Sequence, residues 1–156
     1  EQFVKIFLES LGFRVRPVGI GTCSEEMIEA EGSLPDFEVY LGGQLLFYCE
    51  VTGANKGYVR GQPVYVALSK FTKYYSLARS RPVLFIFLGF NRGKLQFAGY
   101  CWYEDLYPYA ENKENIVKAN FYGIEETFIR TPPSLWRPLY RLAMELLHLT
   151  YAEVRA

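Results

Sequence analysis

The run Val83-Leu84-Phe85-Ile86-Phe87-Leu88-Gly89-Phe90 carries no polar side chain at any position. A strand with one wet face alternates apolar and polar residues, so a strand apolar throughout needs cover on both faces. From Pro82 to Phe90 the run is also far shorter than the roughly 20 residues that span a bilayer, and no other apolar run in the chain approaches that length. A central strand buried between layers is therefore expected, which places the chain in the α/β class. Its 156 residues suit one domain.

The surrounding patterns supply the layers. Phe3, Val4, Phe7, Leu8 and Leu11 share one helical face over residues 1–11, and Gly12 offers a left-handed stop. Phe13 to Val18 alternates as a strand. Thr22 and Glu25 form a capping-box pattern that would open a short acidic helix over 23–31, with a mobile insertion as the equal alternative. Gln62 to Arg79 reads as a helix with Pro63 near its start and Ala67, Phe71, Tyr74 and Ala78 as its buried stripe. After the apolar run, Asn91-Arg92-Gly93 makes a turn and Leu95 to Tyr103 a further strand. Residues 104–133 give no clear period. Residues 134–151 read as a last helix with Ser134 as N-cap and a wide stripe through Leu135, Leu139, Leu142, Leu146 and Leu149.

Between the first strand and the long helix lies a hairpin. Leu34–Leu41 and Leu45–Thr52 are strand-like runs separated by Gly42 and Gly43. Register follows from burial, because a slip of one residue turns every side chain to the other face. A three-residue loop, Gly42-Gly43-Gln44, pairs Leu41 with Leu45, Val39 with Phe47 and Phe37 with Cys49, giving one apolar face. On the opposite face Asp36 then stands across from Glu50, with Cβ atoms about 5 Å apart. A two-residue loop would separate the acids and mix the faces. Two adjacent carboxylates repel unless something neutralises them. A hard divalent cation does so, and can also bind a phosphate oxygen and acidify a water. A pair of exposed acids met by a nearby Lys or Arg is the alternative.

Composition narrows the chemistry. Seventeen basic and seventeen acidic residues cancel, so no strongly basic domain announces nucleic acid. Thirteen Tyr and twelve Phe suit a Tyr-rich core or stacking platforms for bases. The three cysteines, Cys23, Cys49 and Cys101, are widely spaced, which suits buried free thiols in a reducing, cytoplasmic compartment. The one histidine, His148, sits in an apolar helical run, so histidine-based zinc sites and Ser-His-Asp triads are poorly supplied.

In this order and context, Pro35-Asp36 on the first hairpin strand and Glu50-Val51-Thr52 on the second resemble the PD-(D/E)xK phosphodiesterase superfamily. That superfamily includes restriction endonucleases, archaeal Holliday-junction resolvases and RecB-type nucleases. The helix before Gly12-Phe13-Arg14-Val15 and the helix and strand after the hairpin extend the resemblance over residues 1–103. It implies a restriction-endonuclease-like α/β fold, a mixed central sheet flanked by helices in the order α-β-β-β-α-β-β-α. The whole chain, 1–156, would be a single nuclease-like domain, with a core over 1–103 and a C-terminal extension over 104–156 ending in a helix.

By the same resemblance Asp36 and Glu50 would bind Mg²⁺ or Mn²⁺, with the backbone carbonyl of Val51 and, as an extra carboxylate, Glu9. The family's lysine two residues after the Glu is replaced here by Thr52. Some members recruit it from the next helix, where Lys70 is the first candidate and Lys73 the second; Lys56 in the 53–61 loop is the third. In that loop Lys56, Tyr58 and Arg60 suit phosphate contact and base stacking. The implied activity is metal-dependent endonucleolytic hydrolysis of DNA, without membrane association. The resemblance admits a homodimer or larger complex, a contact for which the Leu135–Leu149 stripe could serve, with packing on the sheet as the alternative use of that stripe. A catalytically silent nuclease-fold module binding nucleic acid or a protein, and a structural or assembly subunit, are the alternatives; Thr52 and the zero net charge favour the former.

Overall fold

In the computed structural model, residues 1–18, 34–54, 56–121 and 123–155 are described, with backbone alone for Phe121 and 149–155. The proposed acidic helix at 23–31 lies outside them. Helix α1 spans Gln2–Ser10, buries Val4 and Leu8, and leads to Gly12 at φ +97°. Strands β1 (Arg14–Pro17), β2 (Phe37–Leu41) and β3 (Gln44–Ala54) follow in antiparallel sequence. Then come β4 (Val64–Ala67), α2 (Leu68–Lys73) and α3 (Tyr75–Ser80), which return the chain to β5 (Val83–Asn91). Strand β5 lies parallel to β3, and β6 (Lys94–Trp102) turns back antiparallel to β5.

The central sheet has six strands in the order β1-β2-β3-β5-β6-β9, where β9 is Arg137–Pro138. Strand β5 is covered on both faces, as its unbroken apolar run requires. Leu84, Ile86 and Leu88 enter one core with Val4 and Leu8 of α1 and with Leu139, Leu142 and Leu146. Val83, Phe85 and Phe87 enter a second core with Tyr74, Cys101, Tyr103 and Trp136. Cys49 and Cys101 are buried free thiols.

Three expectations are corrected. The helix expected over 62–79 begins only at Leu68, because Val64-Tyr65-Val66-Ala67 is strand β4. Val64 and Val66 are buried and Tyr65 between them is exposed, a period of two carried by β-branched residues. Second, the described residues of 104–133 form regular elements. After a 3₁₀ turn (Tyr103–Leu106) and a single-turn helix α4 (Tyr107–Ala110), β7 (Ile116–Phe121) and β8 (Ile124–Thr131) form a hairpin. With β4 they make a second antiparallel sheet, ordered β4-β8-β7.

Third, the last helix, α5, starts at Tyr140 rather than Ser134 and runs to Arg155. Pro138 has no N–H and holds Arg137 away from helical geometry, so these two residues pair with β6 instead. Helix α5 is pinned to β6 by Glu145, which accepts from the Tyr100 hydroxyl at 2.5 Å and the Trp102 indole N–H at 2.6 Å. No helix among the described residues is long and apolar enough to cross a membrane.

Candidate active site

The β2–β3 hairpin is built by a different device from the three-residue loop. Gly42 and Gly43 take φ values of +58° and +81°, and Leu41 pairs directly with Gln44. This is a tight two-residue turn with both centres left-handed, a conformation that glycine adopts without strain. The register then shifts between Val39 and Tyr40: Tyr40 pairs with Leu45 and Val39 with Phe47, so Leu46 is an extra residue, a β-bulge. The bulge restores the pairing of Phe37 with Cys49. Asp36 immediately precedes Phe37 and Glu50 immediately follows Cys49, and the two carboxylates are close enough for the Glu50 charge to act on Asp36. The expected juxtaposition is reached although the expected loop is not.

Each carboxylate is held by named donors. Asp36 Oδ2 accepts from the backbone N–H of Val51 at 2.8 Å. Glu50 is 4% exposed. Its Oε2 accepts from the Tyr74 hydroxyl at 2.8 Å, and its Oε1 lies 3.1 Å from the Lys70 amine. Burial pushes the Asp36 carboxyl up to about 7; the Glu50 charge and Glu1 add to the rise, and the Val51 N–H opposes it. Burial, followed by the charge of Glu50, also raises the Tyr74 phenol well above its ordinary range, so it stays a donor.

Lys70 therefore reaches Glu50 from α2, while Thr52 lies half-buried on β3 without charge to contribute. Lys73 is exposed, with its amine 5.5 Å from the centre of the Tyr74 ring. Glu9 pairs with Lys5 at 3.8 Å on the exposed side of α1. The α1 acid that acts on Asp36 is instead Glu1, at the helix's other end.

In the loop after β3, Lys56 and Arg60 are exposed, and Arg60 Nε donates to the Gln96 carbonyl at 3.3 Å. Tyr58 is buried rather than presented for stacking on a base. Its ring meets Phe87 edge-on at 5.0 Å between centres and rests on Gly89, and its hydroxyl donates to the Gln62 carbonyl. Tyr74 and Glu1 are the site residues that sequence reasoning passed over. The four-residue spacing of Lys70 and Tyr74 was the available signal for the former.

Among the described residues no group of three or more His, Cys, Asp or Glu side chains is arranged to hold a metal. The donor set is the carboxylate pair. It fits a hard divalent cation, which takes carboxylate oxygens and keeps several waters of its own. The Asp36 carboxyl is raised first by burial and then by the Glu50 charge, and a bound cation would offset the second of these.

No protein-family model and no curated protein matches the chain. Among solved structures it is similar to Hjc, a Holliday junction resolvase from Archaeoglobus fulgidus, at 14% identity and a TM-score of 0.55, over 91% of this chain and 95% of that one. It also matches a nuclease from a fusselovirus at 14% identity and a TM-score of 0.49, over 97% and 88% of the two chains. The likeness to Hjc shows the fold: a mixed sheet flanked by helices.

Proposed function

We propose that this chain is a divalent-metal-dependent nuclease that hydrolyses DNA phosphodiester bonds. The observation that carries the reading is Lys70. Its amine arrives from α2 at 3.1 Å from Glu50 and supplies, beside the carboxylates, the positive charge that Thr52 lacks. Asp36 and Glu50, with the backbone carbonyl of Val51, would hold Mg²⁺ or Mn²⁺. Bound there, the ion would acidify a water and bear charge on the phosphate. Asp36 is oriented for this by the Val51 N–H and Glu50 by Tyr74. Lys70 offsets charge developing on the scissile phosphate, and Lys56 and Arg60 contact the flanking backbone. Similarity of fold to a Holliday junction resolvase makes branched DNA the first substrate to try.

Labelled single-stranded, duplex and four-way-branched DNA incubated with Mg²⁺, Mn²⁺ or EDTA tests this. Cutting is expected with metal alone, and is expected to vanish in Asp36→Asn and Glu50→Gln. Lys70→Met should lower kcat by about 10²-fold, as when one charge-stabilising donor is lost. Cleavage that survives in both carboxylate variants sinks the assignment. The engagement of both Glu50 oxygens by Tyr74 and Lys70 favours, as second reading, a silent nuclease-fold module. It predicts no cutting on any substrate and DNA binding indifferent to EDTA.

A further inference from the structure

We infer that Tyr74 is a positioning residue for the carboxylate pair: its hydroxyl fixes Glu50 by Oε2 and leaves Oε1 as the oxygen exchanged between Lys70 and a divalent cation. This rests on the metal-dependent reading above. Lys70 and Tyr74 are four residues apart, and the Tyr74 N–H donates to the Lys70 carbonyl at 3.1 Å. The helical turn thus continues through Tyr74, and both side chains leave it on one face. That single turn meets both oxygens of Glu50, the amine at Oε1 and the phenol at Oε2.

The two contacts differ in what it takes to break them. The Lys70 side chain is 35% exposed on a flexible stem, so its amine can leave Glu50 for water. Tyr74 is 2% exposed and packs against Phe85. With two side-chain torsions and a rigid ring, its hydroxyl cannot withdraw without displacing the second core. Oε2 is therefore the fixed oxygen and Oε1 the exchangeable one. The same hydroxyl lies 3.3 Å from the carbonyl of Leu34, two residues before Asp36. Its one proton serves the shorter, charge-assisted contact to Glu50. Tyr74 thus stands between the chain segments that carry the two acids, and its loss frees Glu50 to rotate. Groups that orient a metal ligand in this way are worth about 10–100-fold in metal affinity.

Mn²⁺ binding is measured by calorimetry on the wild type and Tyr74→Phe, with duplex-DNA affinity measured in EDTA. The Mn²⁺ Kd of the variant is expected to weaken about tenfold, with circular dichroism and DNA affinity unchanged and kcat recovering at saturating Mn²⁺. A tyrosine serving only as packing would lower stability and leave that Kd where it was, which overturns the inference alone. A wild type that binds no Mn²⁺ overturns both this inference and the metal-dependent reading. A second measurement needs no variant. In wild type carrying ¹³Cζ-tyrosine and ¹⁵Nζ-lysine, Mg²⁺ should move the Lys70 resonance and leave that of Tyr74 in place; the reverse pattern overturns the inference.

Discussion

Burial and the Glu50 charge hold the Asp36 carboxyl at about 7, against 3.8 for the free side chain. A raised carboxyl means that the fold disfavours the ionised form. Below the free value Asp36 is protonated in both folded and unfolded chains and costs nothing. As pH rises from there through about 7 the cost grows, and above that it is complete. Asp36→Asn removes the charge while its amide oxygen can still accept from Val51. Without metal, this variant should be more stable than the wild type at pH 8 by about 2 kcal/mol, discounted for partial exposure, with the gain fading towards pH 4. Urea unfolding in EDTA across that range checks it; a gain that does not vary with pH would mean that Asp36 is not strained. The placing of Asp36 beside Glu50 was legible from strand alternation, a local property, whereas Lys70 entered through the family resemblance, and its 3.1 Å contact with Glu50 is what the structure adds. Tyr74 was legible only as part of an apolar stripe, because a phenol on such a stripe reads as core until its hydroxyl is seen to reach Glu50. Which end of α1 approaches the pair depends on how the helix crosses the sheet, so Glu9 could be considered and Glu1 could not.

At the scale of elements, the hairpin shows how a correct pairing can follow from a wrong loop. Burial of Phe37, Val39, Phe47 and Cys49 fixes the register far from the turn. The tight turn that Gly42 and Gly43 prefer fixes it near the turn, and the bulge at Leu46 reconciles the two. Strand β4 was hidden for another reason. Four residues are too short a window to separate period two from the start of a helix, and the partner strand, β8, lies more than fifty residues away. The loop between β3 and β4 is tied down through Tyr58. A Cβ built on Gly89 would lie 2.4 Å from the Tyr58 ring, so the ring occupies the space that this glycine leaves. Gly89→Ala should cost about 2 kcal/mol through overpacking. In a Tyr58→Ala background the same substitution should cost much less, because the clash is gone. Urea midpoints of the four proteins close the cycle, and additive losses would show that the two positions do not share this contact.

For the whole molecule, the carboxylates lie where both hairpin strands, α2 and the start of α1 converge, so an ion bound there reports on the folded state as a unit. The unfolded chain does not hold Asp36 and Glu50 together, and binding therefore adds to folding stability. At one hundred times its Kd, Mg²⁺ or Mn²⁺ should raise the unfolding free energy of the wild type by about 2.7 kcal/mol, and should do nothing for Glu50→Gln. Proton traffic accompanies the ion, because a cation requires an ionised ligand. With Asp36 at about 7, most of the metal-free protein carries that proton at pH 6 and little of it does at pH 8.5. Binding at pH 6 should release about one proton per ion, and at pH 8.5 almost none. Calorimetric titrations in buffers of different ionisation enthalpy count these protons directly. Release near one at low pH that falls away through neutrality would join the ion, Asp36 and the strained carboxyl in one equilibrium. Release that is the same at both pH values would place the ion on groups other than Asp36 and detach the metal from this site.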